Sequence, residues 1–131
     1  VSFSAKSKER LETCDDKLQQ LFNEVVKGYD CTVLCGHRGR EEQEEAVREG
    51  KSKVVFPNSK HNKFPSKAAD VVPYPIDWND SKRFMHFAGY VQGVAKMMGI
   101  KIRWGGDWNS NLNFKDEKFV DLPHFELVEG D

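Results

Sequence analysis

Between residues 9 and 27 the apolar side chains Leu11, Leu18, Leu21, Phe22, Val25 and Val26 return at helical spacing, and Gly28 supplies a stop. A helix with one apolar face folds only against a second layer, so this stretch dictates that a partner layer exists. The following segments offer one. CTVLC (residues 31–35) reads as a strand of β-branched and apolar residues, and GHRGR then turns into EEQEEAVREG (residues 41–50), a run of helix formers ending at Gly50. Glu41, Glu42, Glu44 and Glu45 read as a solvated face near the favourable end of the helix dipole. Residues 51–67 read as loop, because Ser, Asn, Lys, Pro57 and Pro65 interrupt every periodicity. KAADVV reads as a short strand closed by Pro73 and Pro75. Asn79 or Asp80 can cap a second long helix with Phe84, Phe87, Ala88, Val91, Val94, Ala95 and Met98 on its apolar face, ended by Gly99. Met97 and Met98 read as core filler. IKIRW is a strand, GGDWNSNLN a turn-rich loop, and HFELV a final strand. The order predicts an α+β domain, a small antiparallel sheet with packed helices.

Composition bounds what such a domain can do. With 131 residues at 38% hydrophobic there is material for one core, and the expectation is a single domain over residues 1–131. Twenty Lys and Arg against twenty-one Asp and Glu give a net charge of −1, which supplies no global basic field for nucleic acid or anionic lipid. The N-terminal VSFSAKSKERLE has no run able to act as a signal or a membrane span. The expectation is a soluble monomer with no stable membrane association and no export signal of its own. Cys31 and Cys35, on one strand, would have Cα atoms about 13 Å apart, too far for a disulfide. Cys31, Cys35 and His37 share a parity, but ligands along one extended strand diverge, so small core-facing thiols in a reducing cytoplasm are the simpler account.

The residues that can carry chemistry lie at loop and strand junctions. His61 follows Ser59 and Lys60 in the irregular segment, Asp70 lies in the strand after it, and His124 opens the last strand with Asp121 three residues before it. Singly these are an exposed histidine, a strand-edge aspartate and a histidine at a strand start. Together, two imidazoles and a carboxylate form a plausible His₂Asp zinc set with a fourth position open for water.

The segments Ser59-Lys60-His61, Ala68-Ala69-Asp70, GHRGREEQ with Arg38 and Gln43, WGGDW from Trp104 to Trp108, and DLPHFEL from Asp121 to Leu127 occur in the order seen in the M15 group of zinc peptidases. The chain resembles the small, single-domain phage endolysin type of that group from about residue 18 to 128. The interval from His61 to Asp70 is two residues longer than the family's, by insertion in NKFPSK, and the family glycine before Ala-x-Asp has no clear counterpart. The resemblance implies a hedgehog/DD-peptidase-like fold and cleavage of the L-Ala–D-Glu bond of bacterial peptidoglycan. It implies Zn²⁺ on His61, Asp70 and His124, Asp121 as the catalytic base, and Arg38 at the substrate carbonyl. It also implies synthesis in the host cytoplasm and action on the wall after another protein permeabilises the inner membrane. A D-Ala-D-Ala carboxypeptidase shares the metal and the base, and a non-catalytic zinc- or wall-binding module can share the scaffold.

Ser59, Gln43 and Trp108 are candidates for substrate binding, although a loop serine also forms turns and Trp78, Trp104 and Trp108 can equally pack at the core edge. Glu126 shares the strand parity of His124 and reads as a supporting acceptor or a surface residue. Lys60, Lys63 and Lys67 flank His61, either as a cationic rim for the carboxylates of a wall peptide or as a solvated loop. His37 and His86 join no ligand pattern.

Overall fold

The computed structural model describes residues 1–108, 110 and 120–128. Along them run α1 (Ala5–Leu11), α2 (Asp16–Gly28), β1 (Cys31–Cys35), α3 (Arg40–Arg48), a 3₁₀ turn (Lys60–Asn62), β2 (Ala68–Pro73), α4 (Ser81–Met98), β3 (Ile102–Trp104) and β4 (His124–Leu127). The four strands form one antiparallel sheet in the order β1-β2-β4-β3. The expected α+β architecture is the observed one.

The N-terminal helix is not continuous. It breaks at Thr13–Asp15 because that backbone is used elsewhere: Ser66 N donates to Thr13 O at 2.9 Å and Asp15 N donates to Ser66 O at 2.8 Å. Asp15 then caps α2 by accepting from Lys17 N at 2.9 Å, and its carboxylate meets Lys67 at 2.7 Å. The break therefore anchors the chain just before β2. Helical spacing alone could not show it, because Leu11 and Leu18 stay in phase across it.

Phe125 of β4 packs on Phe22 of α2 at 5.6 Å between ring centroids and on Phe87 of α4 at 6.1 Å. These contacts, with Leu18, Leu21, Val25, Val71 and Val91, make the core between the sheet and the helices. Residues of opposite parity on β2 and β4, including Asp70 and His124, stand on the other face. Gly99 ends α4 with φ 72°, as its position required. Met97, expected as core filler, is 88% exposed because it falls on the outer face of that last turn, and Met98 is also exposed. Trp104 is core, whereas Trp78 is exposed at 62% and stacks on Phe84. Among the described residues no helix is long and apolar enough to cross a membrane. The expected loop beyond Trp108 lies largely outside the described residues.

Candidate functional site

Sheet register places the first groups. Asp70 pairs with His124 across β2 and β4 and with Cys35 across β1 and β2, so the three stand in one row on the face away from the helices. His61 reaches that row from the 3₁₀ turn. Ser59 Oγ accepts from His61 N at 3.2 Å while Asn62 Oδ1 accepts from Ser59 N at 3.0 Å, a capping box that fixes the turn. Asn62 Nδ2 donates to Arg38 O at 2.9 Å and Arg38 N donates to His61 O at 2.8 Å, which ties the turn to GHRGR.

Three atoms then converge. His61 Nε2 lies 3.2 Å from Asp70 Oδ1 and 3.3 Å from His124 Nδ1, and His124 Nδ1 lies 3.3 Å from Asp70 Oδ1. Each group is gripped from behind. His61 Nδ1 is 2.8 Å from Gly36 O, an acceptor, so the proton sits on Nδ1 and the Nε2 lone pair faces inward. His124 Nε2 is 2.8 Å from Glu126 Oε1, which turns the Nδ1 lone pair inward by the same logic. Asp70 Oδ2 accepts from Arg38 Nη2 at 3.2 Å, leaving Oδ1 for the centre. Ligand atoms about 2.0–2.1 Å from a tetrahedral ion stand about 3.3–3.4 Å apart, within about 0.2 Å of the 3.2–3.3 Å found. His61, Asp70 and His124 can thus hold a metal ion.

The buried Asp70 carboxylate needs positive charge beside it, which either a proton on the inner nitrogen of an imidazole or a bound cation in its place can supply. Burial pushes the Asp70 carboxyl upward, yet the charge of His61 and the hydrogen bond from His124 hold it well below the usual carboxylate range. Burial likewise depresses His61, but the Asp70 carboxylate outweighs it and raises the imidazole to about 10. His124 is raised against its own burial by hydrogen bonds to Asp70 and Glu126. Glu126, buried but bonded to His124 and Arg103, falls to about 2.

Asp121 stands beside the cluster, its Oδ2 4.0 Å from His124 Nδ1. A backbone clasp sets that position: Asp121 N donates to Gly105 O and Gly105 N to His124 O, both at 2.8 Å, and His124 N donates to Asp121 O at 3.1 Å. A Cβ on Gly105 would lie 2.1 Å from Asp121 O, so the approach needs glycine. Burial and the neighbouring Asp70 charge raise the Asp121 carboxyl to about 6, against the opposing pull of His124, His61 and Arg38.

The remaining candidates separate. Arg38 lies at the cluster with Nη1 donating to Gln43 Oε1 at 3.0 Å. Gln43, expected to bind substrate, is instead fully buried: its Nε2 donates to Ser52 Oγ and Val54 O, and its Oε1 also accepts from Asn62. All four amide sites are used, so it braces Arg38 and the segment after α3 and offers substrate nothing. Ser59 is occupied as a cap. Trp108 lies against the His124 ring at 5.2 Å. Lys67 is engaged with Asp15, and among the described residues the cations lining the cleft beside the centre are Arg38, Lys51, Lys53, Lys60 and Arg103, of which Lys60 alone belonged to the expected rim. Glu126 joins Lys60 and Arg103 at 3.3 and 2.6 Å. His37 rests on Phe64 and His86 on Tyr29, away from the cluster. Cys14 and Cys31 are buried and pushed up to about 12 by that burial, while Cys35 Sγ lies 4.0 Å from His61 Nδ1.

Two clefts meet at Arg38, Lys51 and Asp121. One, of about 380 Å³, is lined by His61, His124, Trp108 and the cationic residues. The other, of about 690 Å³, runs past Asp70, Leu34, Trp78, Phe84, Leu122 and Pro123.

The sequence profile of the phage L-alanyl-D-glutamate peptidase family matches residues 1–128. The L-alanyl-D-glutamate peptidase of Escherichia phage T5 is 31% identical over 134 residues, covering 96% of this chain and 97% of its own. The crystal structure of the Serratia marcescens L-Ala D-Glu endopeptidase ChiX superposes with a TM-score of 0.75 at 28% identity, over 98% of this chain and 90% of that one.

Proposed function

The chain belongs to the phage L-alanyl-D-glutamate peptidase family, and from that premise we propose that it hydrolyses the L-Ala–D-Glu bond of peptidoglycan with zinc on His61, Asp70 and His124. The observation that carries the metal assignment is the closure of three inward-facing ligand atoms at 3.2–3.3 Å, each with its outer atom already engaged. Imidazole nitrogen and carboxylate oxygen suit zinc in a catalytic site. When bound, zinc supplies Lewis acidity, polarising a carbonyl and bringing the ionisation of water toward neutral pH.

The chain's own groups do the rest. Asp121, with its Oδ2 4.0 Å from His124 Nδ1 and in the lining of the same cleft, accepts the proton of the attacking water and returns it to the amine of D-Glu as the C–N bond breaks. Its raised proton affinity suits it to both transfers near neutral pH. Arg38 holds Asp70 in place and keeps permanent positive charge at the junction of the clefts, where the carbonyl oxygen gains negative charge. The reading includes a monomer that acts on the wall once the inner membrane has been permeabilised.

Asp121→Asn tests the assignment: zinc content stays at the wild-type level while hydrolysis of purified wall falls by about 10²–10⁴. Full activity in that variant would refute the role of Asp121. Because the Asp121 carboxyl must be ionised to accept a proton, wild-type kcat/KM falls on the acid side, below the value of about 6 to which burial and Asp70 raise that carboxyl in the metal-free site. Bound zinc, by adding positive charge, moves this acid limb lower. Mass spectrometry of digested wall should show new D-Glu amino termini; release of D-Ala alone would replace the endopeptidase with a carboxypeptidase.

A further inference from the structure

The two clefts that meet at Arg38 and Asp121 differ in chemistry. Among the described residues the smaller carries Arg38, Lys51, Lys53, Lys60 and Arg103 against the carboxylates Asp121 and Glu126, an excess of positive charge. The larger balances Arg38 and Lys51 against Asp70 and Asp121 and is otherwise apolar, with Trp78 stacked on Phe84 at 5.5 Å and an interplanar angle of 23°. Trp78 is 62% exposed, so its outer face is presented rather than packed.

The substrate is just as unequal about its scissile bond. On one side L-Ala is amide-linked to the lactyl group of an N-acetylated sugar, an arm that carries no charge. On the other, D-Glu continues the stem through its side-chain carboxyl and leaves its α-carboxylate free on the carbon that bears the scissile nitrogen. Charge complementarity and the apolar wall then fix one direction of binding. Resting on the peptidase reading above, we propose that the D-Glu α-carboxylate enters the cationic cleft beside Lys51 and Lys53 while the lactyl-L-Ala arm lies in the other cleft with its sugar against the Trp78–Phe84 stack. Lys51 suits this role. Its pairing with Glu49 is an exposed contact at 3.0 Å, which costs little to exchange for a substrate carboxylate. An indole offers a broad, rigid apolar face with few rotamers to freeze, which suits the C–H face of a pyranose ring.

The test uses three soluble substrates: an N-acetylmuramoyl stem peptide, the same peptide without the sugar, and the sugar-bearing peptide with the D-Glu α-carboxylate converted to the amide. Wild-type enzyme is expected to prefer the sugar-bearing acid over both others, through KM. Trp78→Ala should raise KM for the sugar-bearing substrate about fivefold and leave the sugar-free peptide unchanged, with Trp78→Phe restoring most of the loss. The double variant Lys51→Gln, Lys53→Gln should abolish the preference for acid over amide while keeping the preference for sugar. Equal effects of Trp78→Ala on both peptides, or an acid preference that survives the double variant, would overturn the proposal. Failure of the wild-type enzyme to cut any of the three would instead remove the peptidase reading beneath it.

Discussion

The site has two halves held by different means. Asp70 and His124 belong to adjacent strands, and their meeting is dictated by ladder register at the middle of a sheet whose other face is packed on α2 and α4. His61, Arg38 and Asp121 come from connections, and their positions rest on individual hydrogen bonds from Ser59, Asn62, Gln43 and Gly105. A register cannot shift by one residue without turning a whole strand over, so the first half is fixed as firmly as the core. The second can lose one contact at a time. The difference matches the proposed division of labour, with ligands mostly on the rigid half and proton transfer on the adjustable one.

That contrast is broken most severely from the strand side. His124→Ala removes a ligand atom and strips Glu126 of its imidazole partner, so zinc measured in the purified protein should fall from stoichiometric to trace and wall clearing to background. Retention of zinc at the wild-type level would show that β4 does not carry a ligand. A smaller and more selective effect is expected from the clasp. In Gly105→Ala the new methyl must displace Asp121 O, so kcat should fall by about 10² while zinc stays bound. If zinc were lost as completely as in His124→Ala, the two halves would not be separable.

The sequence was informative where residue type and order suffice. His61, Asp70, His124 and Asp121 stood out because imidazoles and carboxylates at strand junctions are chemically conspicuous, and the long helix ending at Gly99 and the strands around Asp70 followed from periodicity and punctuation. What escaped depends on contacts between distant segments. The break at Thr13–Asp15 exists because Ser66 pairs there, Trp78 is exposed because the start of α4 faces a cleft, and the cations beside the centre come from Lys51, Lys53 and Arg103 as well as Lys60. Lys67 was drawn away by Asp15, a partner 52 residues distant. The outer grip on each candidate ligand was equally hidden, since the Gly36 carbonyl that fixes the His61 tautomer carries no signature in a side chain.

Gln43 supplies the finest probe of the softer half. Its polar type and its place beside GHRGR suggested a group for substrate, yet it is buried with both oxygen lone pairs and both amide hydrogens used. Gln43→Ala would leave the largely buried Arg38 Nη1 without its acceptor, at a cost of about 1–3 kcal/mol. For a chain of this size that corresponds to a fall in Tm of about 3–12 °C. Asp70 and His124 keep their strand register, so zinc should remain, while a less firmly held Arg38 lowers kcat several-fold without moving KM for the sugar-free peptide. Calorimetry, metal analysis and steady-state kinetics on the one variant separate these effects. A rise in KM with kcat unchanged would return Gln43 to the substrate side of the site.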